Sequence, residues 1–237
     1  MEFRRQDLVV SAAEIDCKIS SICNKMMLPE EISLLYIKHY RINNVYEWQA
    51  KCIYETNVSM GGNLMYCAPT GGGKSLITEL VVLMNAIALK KKAIFILPFV
   101  SLVVEKEAFF KSIAKSYNRR KSPKDKLVVK SYHGDINWNR NGLRENIIIC
   151  TIDKANSIMN ALILRGQQYK IGCIAIDEIH MLGESFSGRL IESLVRFDQI
   201  LFLLATFHMT ITYHTYCSVW CIFQQNSIFA DKAQCSC

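Results

Sequence analysis

The chain has 237 residues, of which 51% are hydrophobic and 21% charged. That allows one large domain with a sizeable core and excludes a disordered chain, while only 4 Pro and 11 Gly exclude collagen-like or linker-like sequence. Lys and Arg outnumber Asp and Glu by 28 to 21, a net charge of +7 that suits a polyanionic partner.

In chain order, the start has no apolar core of signal-peptide length, so an intracellular protein is expected. Leu8–Met26 and Pro29–Tyr40 read as two helices separated at Leu28-Pro29. They form an expected helical N-terminal arm over residues 1–45, packed on the sheet domain. Five short apolar runs then read as strands: Leu64–Cys67, Ala93–Leu97, Leu127–Val129, Ile147–Cys150 and Cys173–Ile176. They are almost continuously apolar rather than alternating, which marks parallel strands covered on both faces. Segments of helical period lie between them, at Ser75–Leu89, Ser101–Tyr117 and Asp153–Arg165. Alternation of strand and helix predicts an α/β domain over 46–197, with a mostly parallel sheet and helices on both faces. The basic run Arg119–Lys124 reads as a solvated loop.

Composition changes after residue 197. From 198 onward the only charged residues are Asp198, Asp231 and Lys232, so residues 198–237 form an atypical, neutral, apolar tail. The ten cysteines include no CxxC pair, and Cys67, Cys150 and Cys173 sit in apolar runs. Reduced, core-filling thiols are expected rather than a disulfide framework.

The strongest local signal is Ala68-Pro69-Thr70-Gly71-Gly72-Gly73-Lys74-Ser75, between a predicted strand and a predicted helix. This is the setting of a phosphate-binding loop, although Ala68 stands where the first glycine is usual. The glycines let backbone N–H groups converge on phosphate oxygens, and the helix N-terminus adds positive potential. Thr70, Gly71, Gly72, Gly73, Lys74 and Ser75 are the candidate nucleotide contacts, with Lys74 reaching the β- and γ-phosphates and Ser75 a Mg²⁺ position. The second signal is Asp177-Glu178-Ile179-His180 at the end of an apolar strand, which delivers two acids into the ligand crevice. Asp177 suits the Mg²⁺ and Glu178 suits activation of the attacking water. Lys74, Asp177 and Glu178 are therefore the candidate catalytic residues, and Ser75 and Asp177 the metal ligands.

Taken with their order and spacing, these segments resemble the ATPase core of superfamily 2 DExH helicases. Phe95–Ser101, Cys150–Asn156 and Asp177–Gly183 narrow the resemblance to helicases of the polymerase-theta type, over roughly residues 28–197. The resemblance implies a RecA-like fold, ATP and Mg²⁺ as cofactors, and ATP hydrolysis driving movement on single-stranded or forked DNA in nuclear DNA repair. It also implies roles by position. Gln49, in Tyr46-Glu47-Trp48-Gln49, becomes the candidate reader of adenine. Pro98 and Phe99 become the first nucleic-acid contacts, Thr151 and Lys154 the second, and His180 the residue coupling the two sites.

Helicases of this kind place ATP between two RecA-like domains, and the second domain, with its arginine finger, is missing from this sequence. The first domain itself looks cut short, since Leu204-Ala205-Thr206 keeps only two letters of the expected Ser-Ala-Thr. The uncharged stretch Ile200–Gln225 is long enough for a bilayer, but His208, His214, Gln224 and Gln225 and the lack of basic flanks argue against a membrane span. His214, Cys217 and Cys221 match no common zinc spacing. The tail is expected to be an alternative or truncated end. Two other readings stay open: a non-catalytic nucleotide- or DNA-binding fragment, and an RNA helicase of the same superfamily.

Overall fold

A computed structural model of the chain describes residues 15–68, 71–136, 138, 144–177 and 200–205. Its centre is a six-stranded sheet in the order β1-β6-β5-β2-β4-β3, with every pairing parallel. The strands are β1 (Leu64–Ala68), β2 (Lys92–Leu97), β3 (Val129–Tyr132), β4 (Ile147–Thr151), β5 (Ile171–Ile176) and β6 (Ile200–Ala205).

The unbroken apolar runs are explained by burial on both faces. Alternate residues of the inner strands feed two separate cores. Phe95, Leu97, Ile147, Ile149, Cys173 and Ala175 face one core, while Ile94, Ile96, Ile148, Cys150, Ile174 and Ile176 face the other. The first core is closed by α1 (Ile19–Lys25), α2 (Glu30–Lys38), α3 (Glu47–Glu55), α4 (Lys74–Leu83) and α5 (Val100–Tyr117). The second is closed by α6 (Ile152–Leu164), through Ala155, Ile158, Met159 and Leu162. Those four positions recur at helical spacing, so one stripe of α6 is buried and the rest is left to solvent.

The N-terminal helices share the first core with α4 and α5. Ile19, Ile22, Met26, Ile32 and Tyr36 are all essentially inaccessible. Tyr40 reaches further, its hydroxyl within 2.7 Å of Ser112 Oγ and its ring against Phe109. α4 changes pitch after Leu83 and ends in one π-helical turn, Met84–Ala88. There Asn85 crowds Gly172 at the start of β5, where any side chain would collide with the Asn85 amide oxygen.

Three differences from the sequence-based expectations stand out. β6 lies in the stretch expected to be a neutral tail, and it is inserted between β1 and β5. The third strand begins at Val129 and runs through Lys130 and Ser131, because an edge strand tolerates polar residues. The short helix α3 sits between the arm and the first strand. Residues 206–237, with His208, His214, Cys217 and Cys221, lie outside the described residues. No helix among the described residues is long and apolar enough to cross a membrane.

Candidate functional site

A parallel sheet puts every strand's C-terminal end on one edge, and the loops leaving that edge hold the candidate residues. β1 runs into the glycine loop. Gly71 and Gly73 both have positive φ, +77° and +78°, a region that side chains other than glycine rarely enter. Gly73 caps α4, so the chain turns from strand to helix within a few residues and leaves the first N–H groups of α4 without helical acceptors.

The loop is braced from below. Lys74 is buried, and its ammonium donates to the Ala68 carbonyl at 2.9 Å, folding the side chain back across the loop. The Tyr66 hydroxyl, on β1, donates to the Lys74 carbonyl at 2.7 Å and lies 2.7 Å from the Thr78 hydroxyl. Burial pushes the Tyr66 hydroxyl well above its ordinary pKa, with Thr78 pulling it back and Cys52, Asp177 and Glu79 adding to the rise. The phenol therefore stays protonated and keeps its donor role. Ser75 follows Lys74 in the first turn of α4 and is half-buried.

Gln49 is brought to this loop from α3. Its Oε1 accepts the Tyr46 N–H at 2.8 Å, the reciprocal half of a capping box, and its Nε2 donates to the Gly73 carbonyl at 2.7 Å. With both bonds made, Gln49 is buried at 1% exposure beside the loop. Trp48 packs beside it, its ring 6.1 Å from that of Tyr66.

Asp177 leaves the end of β5, where its N–H donates to the Ile96 carbonyl of β2 at 3.0 Å. Between β1 and β5 stands β6, which pairs Leu204 with Cys67 and Ala205 with Ala68. The Leu204-Ala205 pair thus sits level with the start of the glycine loop. Thr70, Glu178 and His180 lie outside the described residues.

The other half of the edge carries the candidate nucleic-acid contacts. Pro98 and Phe99 follow β2, and Thr151 ends β4, next to β2 in register with Leu97. Phe99 is 52% exposed and stands at the N-cap of α5, with the exposed Val100 and Val104 on the same helix. An exposed aromatic at this edge is what a stacked base would need. Lys154, in the first turn of α6, also borders a groove of ≈ 670 Å³ with Ser157, Asn160 and Arg165. The edge therefore divides in order, with nucleotide candidates over β1 and β5 and nucleic-acid candidates over β2 and β4.

Beneath the edge is a feature that no sequence motif marks. Glu79 on α4 is 6% exposed and pairs with Lys106 of α5, Nζ to Oε1 2.6 Å. The sequence carries one signal of it, because Glu79 is the only charged residue between Ser75 and Leu89. A lone acid on an otherwise apolar helix needs a partner if it is buried.

Comparison with known proteins bears on family and fold. The family model described as DEAD/DEAH box helicase matches residues 46–213. DNA polymerase theta of Mus musculus is 36% identical over 156 residues, covering 66% of this chain and 6% of that protein. The POLQ-like helicase of Homo sapiens is 31% identical over 168 residues, covering 70% of this chain and 14% of that protein. Among solved structures, the DUF1998 helicase MrfA superposes with a TM-score of 0.59 at 20% identity, over 75% of this chain and 29% of that chain. That last likeness speaks for the fold alone. The family match extends past residue 197 and takes in β6. The chain spans less than a quarter of the length of these curated relatives. With the match covering most of the chain, and a glycine loop and a strand-end aspartate on one edge of a parallel sheet, the chain belongs to the DEAD/DEAH box helicase family.

Proposed function

We propose that this chain is the ATP-binding, first RecA-like domain of a DNA helicase, a domain that couples ATP hydrolysis to movement along single-stranded or forked DNA. The observation that carries the reading is the division of the sheet edge. The glycine loop and Asp177 occupy one half, and Phe99 and Thr151 occupy the other.

The residues fit ATP and Mg²⁺. A Cβ on Gly71 would meet nothing within 4 Å, and the positive φ at Gly71 and Gly73 turns the backbone into a cradle open to phosphate. Ser75 and Asp177 offer a hydroxyl and a carboxylate, the hard oxygen donors that Mg²⁺ takes. When bound, Mg²⁺ neutralises charge on the β- and γ-phosphate oxygens. Lys74 exchanges its bond to the Ala68 carbonyl for a charge-assisted bond to phosphate. Gln49, tied to the Gly73 carbonyl beside the loop, is the reader of adenine. Glu178 accepts the proton of the attacking water, and His180 relays the state of the site. Pro98, Phe99, Thr151 and Lys154 hold the nucleic-acid strand. A second RecA-like domain supplies the facing wall of the ATP site. The resemblance to DNA polymerase theta also supports DNA repair in the nucleus as the setting.

The test is titration with a fluorescent ATP analogue and Mg²⁺. Lys74→Ala is expected to weaken affinity at least about tenfold, the worth of one charge-assisted hydrogen bond. Equal affinity in two folded proteins would remove the phosphate-loop reading. ATP turnover with DNA compared with RNA oligonucleotides separates a DNA from an RNA helicase, since backbone contacts alone do not.

A further inference from the structure

We infer that the Glu79–Lys106 pair is a coupling strut, a positioning device that ties occupancy of the glycine loop to the nucleic-acid edge at Phe99. The inference rests on the two-ligand reading above and adds the means by which one ligand senses the other.

The pair joins the two helices that leave those two loops. Glu79 lies five residues into α4 from Lys74, and Lys106 lies seven residues beyond Phe99 on α5. At a helical rise of 1.5 Å per residue, both are roughly 7–11 Å below the sheet edge, so the pair is a cross-link at one level. α4 lies against β2 and β5, α5 lies against β2, β3 and β4, and both helices bury side chains in the same core. The 2.6 Å ion pair is thus a direct link between them.

Stability does not account for such a link. Side-chain exposures of 8% for Glu79 and 15% for Lys106 set it deeper than the pairs that Lys51, Lys111 and Lys121 make. A buried ion pair costs about as much in desolvation as it returns, and apolar replacements of similar size are often as stable or more so. What a buried pair does provide is a fixed distance, because parting the two leaves each charge buried without its partner.

The strut is wired to the nucleotide side. Thr78, next to Glu79, is held through its hydroxyl to Tyr66, and Tyr66 holds the Lys74 carbonyl. Movement of the loop as Lys74 turns to phosphate is therefore carried into the turn of α4 that bears Glu79. The field of the site reaches the same carboxyl. Burial pushes its pKa up, Lys106 draws it back, and the negative charges of Glu105 and Asp177 push it up again. The charge carried at Asp177 is thus felt at the carboxyl that holds Lys106. On the other side, the Lys106 ammonium sits 5.6 Å from the centre of the Phe109 ring, inside the α5 core that also holds Phe110. Lys106 is thus held on the packed side of α5, the helix that Phe99 caps.

The experiment measures coupling rather than either affinity alone. The fluorescent ATP analogue with Mg²⁺ is titrated into the full chain with and without a saturating oligo-dT, and the ratio of the two Kd values is the coupling factor. The variants are Glu79→Gln, Lys106→Met and the apolar double variant Glu79→Leu/Lys106→Met, with Lys74→Ala as control and urea unfolding alongside. The wild-type factor is expected to be about fivefold or more. In all three variants it is expected to fall within about twofold of one, with nucleotide affinity in the absence of DNA kept within about threefold. The double variant, matching the wild type in urea, separates coupling from stability. A wild-type factor retained by the double variant would overturn the strut while leaving the nucleotide reading intact. Lys74-dependent binding that oligo-dT does not alter in the wild type also overturns the strut alone. Absence of Lys74-dependent binding overturns the nucleotide reading and the strut with it.

Discussion

At the scale of single residues, the glycine loop is held by contacts that leave little freedom. Gly73 has φ of +78°, and a Cβ there would stand 2.6 Å from Gln49 Nε2. Gly73→Ala therefore meets two penalties, a left-handed backbone worth about 1–2 kcal/mol and loss of the Gln49 bond to the Gly73 carbonyl. The expected outcome is a urea midpoint lowered by an amount equivalent to about 2 kcal/mol, with analogue affinity lost in parallel. Gly71→Ala provides the contrast, because its backbone strain comes without a collision. The cysteines behave as core atoms. Burial alone pushes the Cys23 thiol up to about 12, and burial with a smaller push from Glu55 does the same at Cys52, so neither offers a thiolate at neutral pH. The glycines and Lys74 are legible in the sequence because their chemistry is local. The tether from Gln49 is not, since the amide and the carbonyl it binds meet only in the folded chain.

At the scale of elements, α5 is fastened to the edge strand β3 by Glu107. Its carboxylate accepts the Ser131 N–H at 3.1 Å and pairs with Lys111 at 3.0 Å. Burial pushes this carboxyl up, and the bonds to Lys111 and Ser131 together more than cancel that, so its pKa lies below the ordinary value of 4.5. A folded-state pKa below the unfolded one gives stability that is present above pH 4.5 and fades as pH falls through the lower folded value. Glu107→Gln is expected to cost about 1 kcal/mol in urea unfolding at pH 7, and the gap to wild type is expected to close as the pH falls below 4.5 and through the lower folded value. A gap that stayed constant with pH would mean that the Gln side chain fails for steric reasons. β2, β4 and β5 can be read from the sequence because burial on both faces demands unbroken apolar runs. β3 starts two residues later than its apolar run because it is an edge strand, whose Lys130 is exposed and whose pairing depends on backbone bonds to β4. The lone charge of Glu79 can be read from the sequence, but its partner Lys106 cannot, since no local period announces a residue on another helix.

At the scale of the whole molecule, strand order is what the sequence does not state. Parallel strands joined by helices are expected from it, yet nothing local says that β1 stands at one edge with β6 beside it. The run Ile200–Ala205 reads as part of a neutral tail because it has no charges, and inner strands of a parallel sheet also lack charges. Composition cannot separate the two; pairing with β1 and β5 does.

This placement of β6 dictates a schedule for biogenesis. The glycine loop is translated early, but β1 has no other strand neighbour among the described residues, and Leu64 must await Leu201. At ribosomal speeds of about 5–20 residues per second, the delay is on the order of ten seconds, during which β1 is an open template for a stray strand. On this schedule the cradle is expected to be the last part of the sheet seated, and nucleotide is not expected to act as an early folding ligand. A nascent chain arrested with residues up to 199 outside the ribosome is expected to protect β2, β4 and β5 from hydrogen exchange while β1 exchanges freely and the ATP analogue goes unbound. Extending the arrested chain past Ala205 should close β1 and bring on binding in the same step; protection of β1 before that point would mean that it finds its place without β6.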